Sequence, residues 1–273
     1  MAIDDRWTSG TAYDRYIGRW SAKVAPLFIE WLSVPAGLRW VDVGCGTGAL
    51  TAAILERHDP AAVVGIDPSE SFLGVARARS DDPRVRFVTG SAEALPLADV
   101  SVDATVSGLV LNFVNEPVAA LVEQARVTRA GGTVGAYVWD YAGEMQPLRR
   151  FWDAAVALDE AARDLDEGIR FPIASPGALA ERFETAGLLE VRVQALDATA
   201  DFPDFDDYWE PFLAGTGPAP AYVASLDEKH REALRQELRS RVPLEADGII
   251  HLLARAWAAA GRVSPAALGG AVV

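Results

Sequence analysis

Apolar positions recur at helical spacing in the opening forty residues, where DRYIGRWSAKVAPLFIEWL sets Ile17, Trp20, Val24, Leu27, Phe28 and Trp31 along one face, interrupted by Pro26. The pattern then changes to short apolar runs separated by amphipathic ones. RWVDV reads as a first strand, residues 48–57 as a helix, AVVGID as a second strand, and residues 69–79 as a helix opened by Ser69 with Glu70 in its first turn. VRFVTG, SVDATVSG and TVGAYVWD read as the third, fourth and fifth strands, and EPVAALVEQARVTRA as a helix ended by Gly131-Gly132. Short apolar strands alternating with helices predict an open parallel sheet, covered on both faces and joined by right-handed crossovers.

The second half is less regular. MQPLRRFWDAAVALDEAARDL predicts a long helix, SPGALAERFETAGL a capped helix, LEVRVQALDA a strand and VASLDEKHREALRQELRSRV another helix. Between them DFPDFDDYWEPFLAGTGPAPAY is acidic, aromatic and punctuated by proline, which fits a folded flap because its aromatics can be buried. Periodicity leaves GIIHLLARAWAAAGRV open between a buried strand and a helix.

Composition narrows the functional classes. The 273 residues hold 39 acidic against 25 basic side chains, a formal charge of −14 spread along the chain, which argues against nonspecific attraction to nucleic acid or anionic membrane. A single cysteine, Cys45, excludes an intrachain disulfide or a cysteine-cluster metal site, and no metal is expected. The N-terminus lacks the basic start and apolar run of a signal peptide, and no apolar run approaches a membrane span, so a cytoplasmic protein is expected, as monomer or homodimer.

Candidate chemistry begins at VDVGCGTGAL. Glycines directly after a first strand let the backbone turn tightly and approach a ligand without a Cβ clash, and the helix that follows offers unpaired N–H groups. A dinucleotide site asks for G-x-G-x-x-G, whereas here Gly44, Gly46 and Gly48 alternate and the third glycine comes one position early. Asp42 just ahead of them would repel a pyrophosphate. It fits either an ammonium-bearing ligand or a carboxylate that ties down the loop's own N–H groups. Asp67 closes the second strand, where a carboxylate accepts both hydroxyls of an adenosine ribose or, ahead of Pro68, caps a helix. After the third strand, Ser91 and the Ala92 backbone are placed to meet an adenine edge, supported by Leu95, Pro96 and Leu97.

The ordered set VDVGCGTGAL, VVGIDPS, GSAEALPLADVSVDATVSG and RVTRAGGTVGAYVWD resembles the class I S-adenosylmethionine-dependent methyltransferases, in particular the branch of small-molecule, quinone and sterol C-methyltransferases, over roughly residues 35–140. The resemblance implies a Rossmann-like, seven-stranded, mostly parallel sheet with a C-terminal antiparallel hairpin, which assigns LEVRVQALDA and IIHLLARAWAAA to the last two strands. It implies one domain over 1–273: a core of 35–140, 173–200 and 247–262, an N-terminal lid over 1–34, and helical insertions 141–172 and 201–246 that cap the sheet and shape the acceptor pocket. Carried over residue by residue, the cofactor positions are Asp42, Gly44, Gly46, Asp67, Ser91, Ala92 and Glu93, with Cys45, Pro68 and Gly108 on the same strand ends. Ser91 stands where the family often has Asp, so a hydroxyl or water-mediated contact to the adenine amino group replaces a carboxylate. In YDRYIGRWS, Tyr16 would face the sulfonium and Arg19 the methionine carboxylate, or the two would pack and face water.

The resemblance implies S-adenosylmethionine as cofactor, S-adenosylhomocysteine as product, and in-line methyl transfer to a small-molecule acceptor, a reaction in which positioning supplies most of the protein's contribution. The candidates for orienting or deprotonating the acceptor are Asn112, Asp140 with Tyr141, and His251, which reads first as a core histidine and second as a pocket base. His58 and His230 read as surface residues. Two alternatives stand beside this reading: an NAD-type oxidoreductase, disfavoured by the spacing of Gly48, and a methyltransferase-like binding protein without turnover. Neither an extended basic patch nor an Asn/Asp-Pro-Pro-aromatic signature points to nucleic acid.

Overall fold

The computed structural model describes residues 17–214, 217–243 and 248–265. Helix α1 (Arg19–Leu32) leads to strand β1 (Arg39–Val43), and the chain continues through α2 (Ala49–His58), β2 (Ala62–Asp67), α3 (Glu70–Arg79), β3 (Val85–Thr89), β4 (Val102–Gly108), α4 (Pro117–Val127) and β5 (Thr128–Trp139). There follow α5 (Gln146–Leu158), a 3-10 turn (Glu160–Leu165), α6 (Glu167–Arg170), α7 (Pro176–Thr185), β6 (Leu189–Phe202), α8 (Phe205–Trp209), a second 3-10 turn (Glu210–Ala214), α9 (Pro218–Ser225), α10 (Glu228–Arg241) and β7 (Ile250–Arg262). α1 runs through Pro26 without a break. The burial of Val24, Ala25, Phe28 and Ile29 on either side offsets the roughly 3 kcal/mol that an interior proline costs.

The seven strands form one sheet in the order β3-β2-β1-β4-β5-β7-β6. β1 pairs in parallel with β2 and β4, β2 with β3, and β4 with β5. β7 returns antiparallel to β5: Val263 N–H donates to Gly132 O near the start of β5, whereas Asp140 N–H, just past its end, donates to Arg255 O. Cross-strand ion pairs show the same sense between β6 and β7, since Asp197 meets Arg255 and Asp201 meets His251. The run left open by periodicity is therefore a strand, and its inward positions Ile250, Leu252, Ala254, Ala256 and Ala258 alternate with more exposed ones at period two.

Several boundaries differ from the sequence reading: the helix expected over 145–165 is α5 followed, after Asp159, by a 3-10 turn, and β6 runs on from the expected end at 198 to Phe202. The helix before the fifth strand stops at Val127, three residues before the point expected, and residues 128–132 already belong to β5. Thr128 is the cause. Its hydroxyl donates to Gln124 O at 2.7 Å and lies 3.0 Å from the Thr105 hydroxyl of β4, closing the helix and fastening the chain to the sheet. Gly131, at φ 69°, and Gly132 then absorb an irregularity in which β5 advances from Thr128 to Thr133 while β4 advances only from Val102 to Ala104. The long helix expected over VASLDEKHREALRQELRSRV is two, because the Asp227 carboxylate accepts from His230 N–H at 2.8 Å and starts α10 afresh.

The described residues fall into two compact units. A sheet unit holds 21–138, 173–196 and the chain from 257; a helical unit holds the chain up to 20, 139–172 and 197–256. In the helical unit the acidic, aromatic stretch is folded as expected: Asp204 caps α8, Tyr208 donates to Pro147 O at 2.7 Å, and Phe212 stacks on Phe151 at 4.5 Å. Beside them Arg149 grips Asp166 with two bonds, at 3.0 and 2.6 Å, and Trp152 Nε1 donates to the buried Glu167 carboxylate. Burial pushes the Glu167 carboxyl up to about 7.

Candidate functional site

The carboxyl ends of β1 to β4 carry the candidate site, within the sheet unit. Gly44, Gly46 and Gly48 all have positive φ, at 69°, 54° and 91°, so the alternating spacing is that of a backbone entering the left-handed region at every second residue. Their reasons differ. A Cβ on Gly44 would lie 2.4 Å from the Val110 side chain, so packing excludes one there. A Cβ on Gly46 would meet nothing within 4 Å, which leaves the backbone of Gly46 facing open space. The loop is fixed by β2: Gly44 and Cys45 N–H both donate to Ile66 O, at 2.7 and 3.0 Å. The Cys45 side chain is buried.

Asp42 is 1% exposed. Its Oδ2 accepts from the Thr51 hydroxyl of α2 at 2.7 Å, while Oδ1 is buried without a partner. The backbone partner of Asp42 is the Thr51 N–H in the first turn of α2, and among the described residues no hydrogen bond from the glycine loop reaches it. Burial, with a smaller contribution from the Asp67 charge, pushes its carboxyl up to about 7. An arriving ammonium would offset that cost, because it supplies both a hydrogen bond to Oδ1 and the missing counter-charge.

The loop-tying role falls to Asp67. Its Oδ2 accepts from Gly46 N–H at 3.0 Å and its Oδ1 from Ser69 N–H at 2.8 Å, joining the loops after β1 and β2. Burial raises the Asp67 pKa and these two bonds hold it down. A carboxylate oxygen has a further lone pair, so each can still accept a ribose hydroxyl. The loop after β3 places Ser91 Oγ as acceptor of Glu93 N–H at 3.2 Å, and Glu93 Oε1 as acceptor of Glu116 N–H at 3.1 Å. Ala92 packs with Leu97 against the core cluster of Val41, Ile66 and Leu95. Pro68 follows Asp67 directly and is exposed, at the turn between β2 and α3.

Two anchors of this site were not read from the sequence. Thr51 orients Asp42. Arg126, on α4, donates to Leu95 O at 3.1 Å and Leu97 O at 3.0 Å while gripping Glu123, whose other oxygen accepts from Leu95 N–H at 2.9 Å. The signal for the second is the Glu123-x-x-Arg126 pair on one helix face.

The catalytic candidates are divided between the two units. Asn112, after β4, is 8% exposed and neither amide atom has a partner. Gly108 owes its missing side chain to Tyr137, whose hydroxyl oxygen would lie 2.5 Å from a Cβ there. Asp140, Tyr141, Arg19 and His251 belong to the helical unit. Asp140 accepts from Glu144 N–H at 2.9 Å, organising the turn after β5, and Tyr141 is buried against Phe171. Arg19 pairs with Asp207 at 2.9 Å and lies over the Phe202 ring, so it neither faces water alone nor stands unengaged. His251 is a correction to the first reading: it is not a core histidine but an exposed strand residue bonded to Asp201 at 2.7 Å, because it falls on the outward phase of β7. His58 is half-buried, its ring 5.8 Å from that of Trp40, while His230 is exposed as expected. Tyr16 lies outside the described residues. Among the described residues no helix is long and apolar enough to cross a membrane.

Comparison with known proteins fits this strand-end arrangement: residues 41–135, from β1 into β5, match the methyltransferase domain family. This stretch is similar to a methyltransferase domain. An uncharacterized methyltransferase of Mycobacterium tuberculosis is 41% identical over 115 residues, 42% of this chain and 45% of the relative. The ubiquinone/menaquinone biosynthesis C-methyltransferase UbiE of Methylobacterium nodulans is 35% identical over 170 residues, 56% of this chain and 66% of the relative. The chain thus spans about half to two thirds of the length of these relatives. Phosphoethanolamine N-methyltransferase 2 of Haemonchus contortus, solved with S-adenosyl-L-methionine, shares the fold at a TM-score of 0.56 and 16% identity, over 93% of this chain and 56% of that one. The matched stretch covers Asp42, the three glycines, Asp67, the β3 loop and Asn112, so the candidate cofactor positions of the sheet unit all fall inside it.

Proposed function

We propose that the chain binds S-adenosylmethionine at the carboxyl ends of β1 to β3 and transfers its methyl group to a small-molecule acceptor. The observation that carries this reading is Asp42, a buried carboxylate with one unbonded oxygen directly before a glycine loop whose middle member faces open space. A dinucleotide pyrophosphate would be repelled there; an amino-acid ammonium would be attracted.

When bound, the cofactor supplies an activated methyl on a sulfonium that leaves as a neutral thioether. On the protein's side, Asp42 would receive the ammonium, the N–H groups opening α2 the carboxylate, Asp67 the ribose hydroxyls, and the β3 loop would hold the adenine through Ser91 and the Ala92 backbone. Asn112 orients the acceptor, since its buried amide offers both a donor and an acceptor for a hydroxyl or carbonyl. With both bound, the acceptor's nucleophilic atom would take the methyl as the carbon–sulfur bond broke, and the acceptor's proton would leave to solvent or to a basic group of the acceptor. The UbiE name of one relative supports an acceptor of the quinone-precursor kind.

Isothermal calorimetry with S-adenosylhomocysteine tests the cofactor half: saturable 1:1 binding is expected, and no heat at millimolar ligand sinks the proposal. A panel of phenolic and quinol acceptors with labelled cofactor tests the rest. Label transfer that falls at least tenfold in Asn112→Ala, with unchanged affinity for the product cofactor, assigns the acceptor role; an unaltered rate removes it.

A further inference from the structure

The sheet edge opposite the glycine loop carries a second concavity within the sheet unit. Thr133 is in register with Ala104, and Ala104 with Trp40, so this edge lies at the amino-terminal ends of β1 and β4. A cleft of about 220 Å3 opens there between Thr133, Glu190, Arg192 and residues 260–262 of β7.

Two arginines face this cleft, each held by groups that leave its charge uncompensated. Arg262 donates to the Thr133 hydroxyl at 2.6 Å and to Gly131 O at 3.4 Å. Arg192 donates to Trp31 O at 3.1 Å and Leu32 O at 2.8 Å, and its guanidinium lies 4.0 Å from the centre of the Trp31 ring. Elsewhere carboxylates sit within 4 Å of Arg39, Arg84, Arg126, Arg149 and Arg255, as expected where 39 acidic side chains outnumber 25 basic ones. Among the described residues, neither Arg192 nor Arg262 forms such a pair. Partial burial, and to a smaller extent the neighbouring Arg262 charge, press the Arg192 pKa downward. Glu190 is exposed on the rim and pairs with neither.

We infer that this cleft is an oxyanion site for a phosphate group, either inorganic phosphate or a small phosphate monoester. Each guanidinium has five N–H donors and spends two on the protein, leaving three for a ligand that would also relieve the repulsion. Backbone carbonyls, a hydroxyl and an aromatic face hold both forks in place before any ligand arrives, which lowers the ordering cost of binding. The site is separate from the cofactor positions and does not depend on the methyl-transfer reading.

The test is a phosphate titration of the full chain, read by thermal shift and by phosphorus NMR line width, with chloride at matched ionic strength as control. Inorganic phosphate and glycerol 3-phosphate form separate arms, and tighter binding of one identifies the source. Saturable binding beyond the chloride response is expected, weakened at least tenfold in Arg262→Gln and unchanged by saturating S-adenosylhomocysteine. Glu190→Gln removes a rim charge without breaking any contact, so it should tighten phosphate severalfold even if the arginine variant folds poorly. A response no greater than chloride, or equal affinities in wild type and Glu190→Gln, overturns the inference.

Discussion

Asp42 is the residue at which charge and function meet. With its carboxyl pushed up to about 7 by burial, a growing share is protonated below neutrality, and only the ionised form receives an ammonium well. Affinity for S-adenosylhomocysteine should therefore rise by up to about tenfold per pH unit between pH 5.5 and 7 and then level off. Asp42→Asn should bind weakly and show no such slope; a retained slope would place the titration elsewhere. The glycines separate stability from binding. Gly44→Ala drives a methyl into Val110 at a left-handed position, so it should lower stability by about 2–4 kcal/mol in urea unfolding. Gly46→Ala meets open space and carries only the backbone cost of about 1 kcal/mol, so its larger effect should fall on cofactor affinity. Equal losses of stability in the two would contradict the geometry. The alternating glycines and both aspartates were legible in the sequence because spacing and residue type carry that information. Which aspartate ties the loop was not, since it depends on where Gly46 and Ser69 direct their N–H groups in space.

Among the elements, the loop after β3 shows how little of a binding surface its own residues determine. Residues 91–97 are held by α4, through Arg126 on two carbonyls and Glu123 on one N–H. Arg126→Ala should raise amide exchange at Leu95 and through the loop, and weaken cofactor binding severalfold, while α4 stays helical. Unchanged exchange at Leu95 would show that Glu123 holds the loop alone. Strand identities followed from apolar periodicity, and β7 followed only from resemblance, because the largely apolar run between Gly248 and Gly261 suits a strand or a helix equally. The early end of α4 escaped because Ala-Arg-Val-Thr-Arg-Ala has fair helix propensity; the Thr128 hydroxyl bridge to β4 is a tertiary contact that overrides it.

At the scale of the whole molecule, the buried carboxyls Asp42, Asp67 and Glu167, all raised by burial, weigh on the pH response. Asp42 and Glu167 both titrate near 7 in the folded protein against about 4 unfolded, so the native state holds more protons in between. Their effect is that stability falls as pH rises from about 4 to about 7. Carboxylates held down by arginines, such as Asp82 and Glu123, act in the opposite direction and lose their stabilisation as pH falls through their own lowered range. With a formal charge of −14 adding self-repulsion toward alkaline pH, the melting temperature should peak near pH 5–6. Glu167→Gln keeps an acceptor for Trp152 Nε1 without the charge. It should be more stable than wild type at pH 8 by about 1–2 kcal/mol and show a flatter profile; a lower melting temperature at pH 8 than at pH 5, equal to that of wild type, would remove Glu167 as a cause. Finally, β6 and β7 each begin in one compact unit and end in the other, with Asp197–Arg255 fastening them in the helical unit and Gly261 packed against Leu188 in the sheet unit. A one-residue insertion within either strand would turn every following side chain to the opposite face, exchanging buried alanines for exposed charges in one unit while the other kept its phase. Natural variation in length among descendants of this chain should accordingly accumulate in the connections on either side of these strands and leave the strands themselves at constant length.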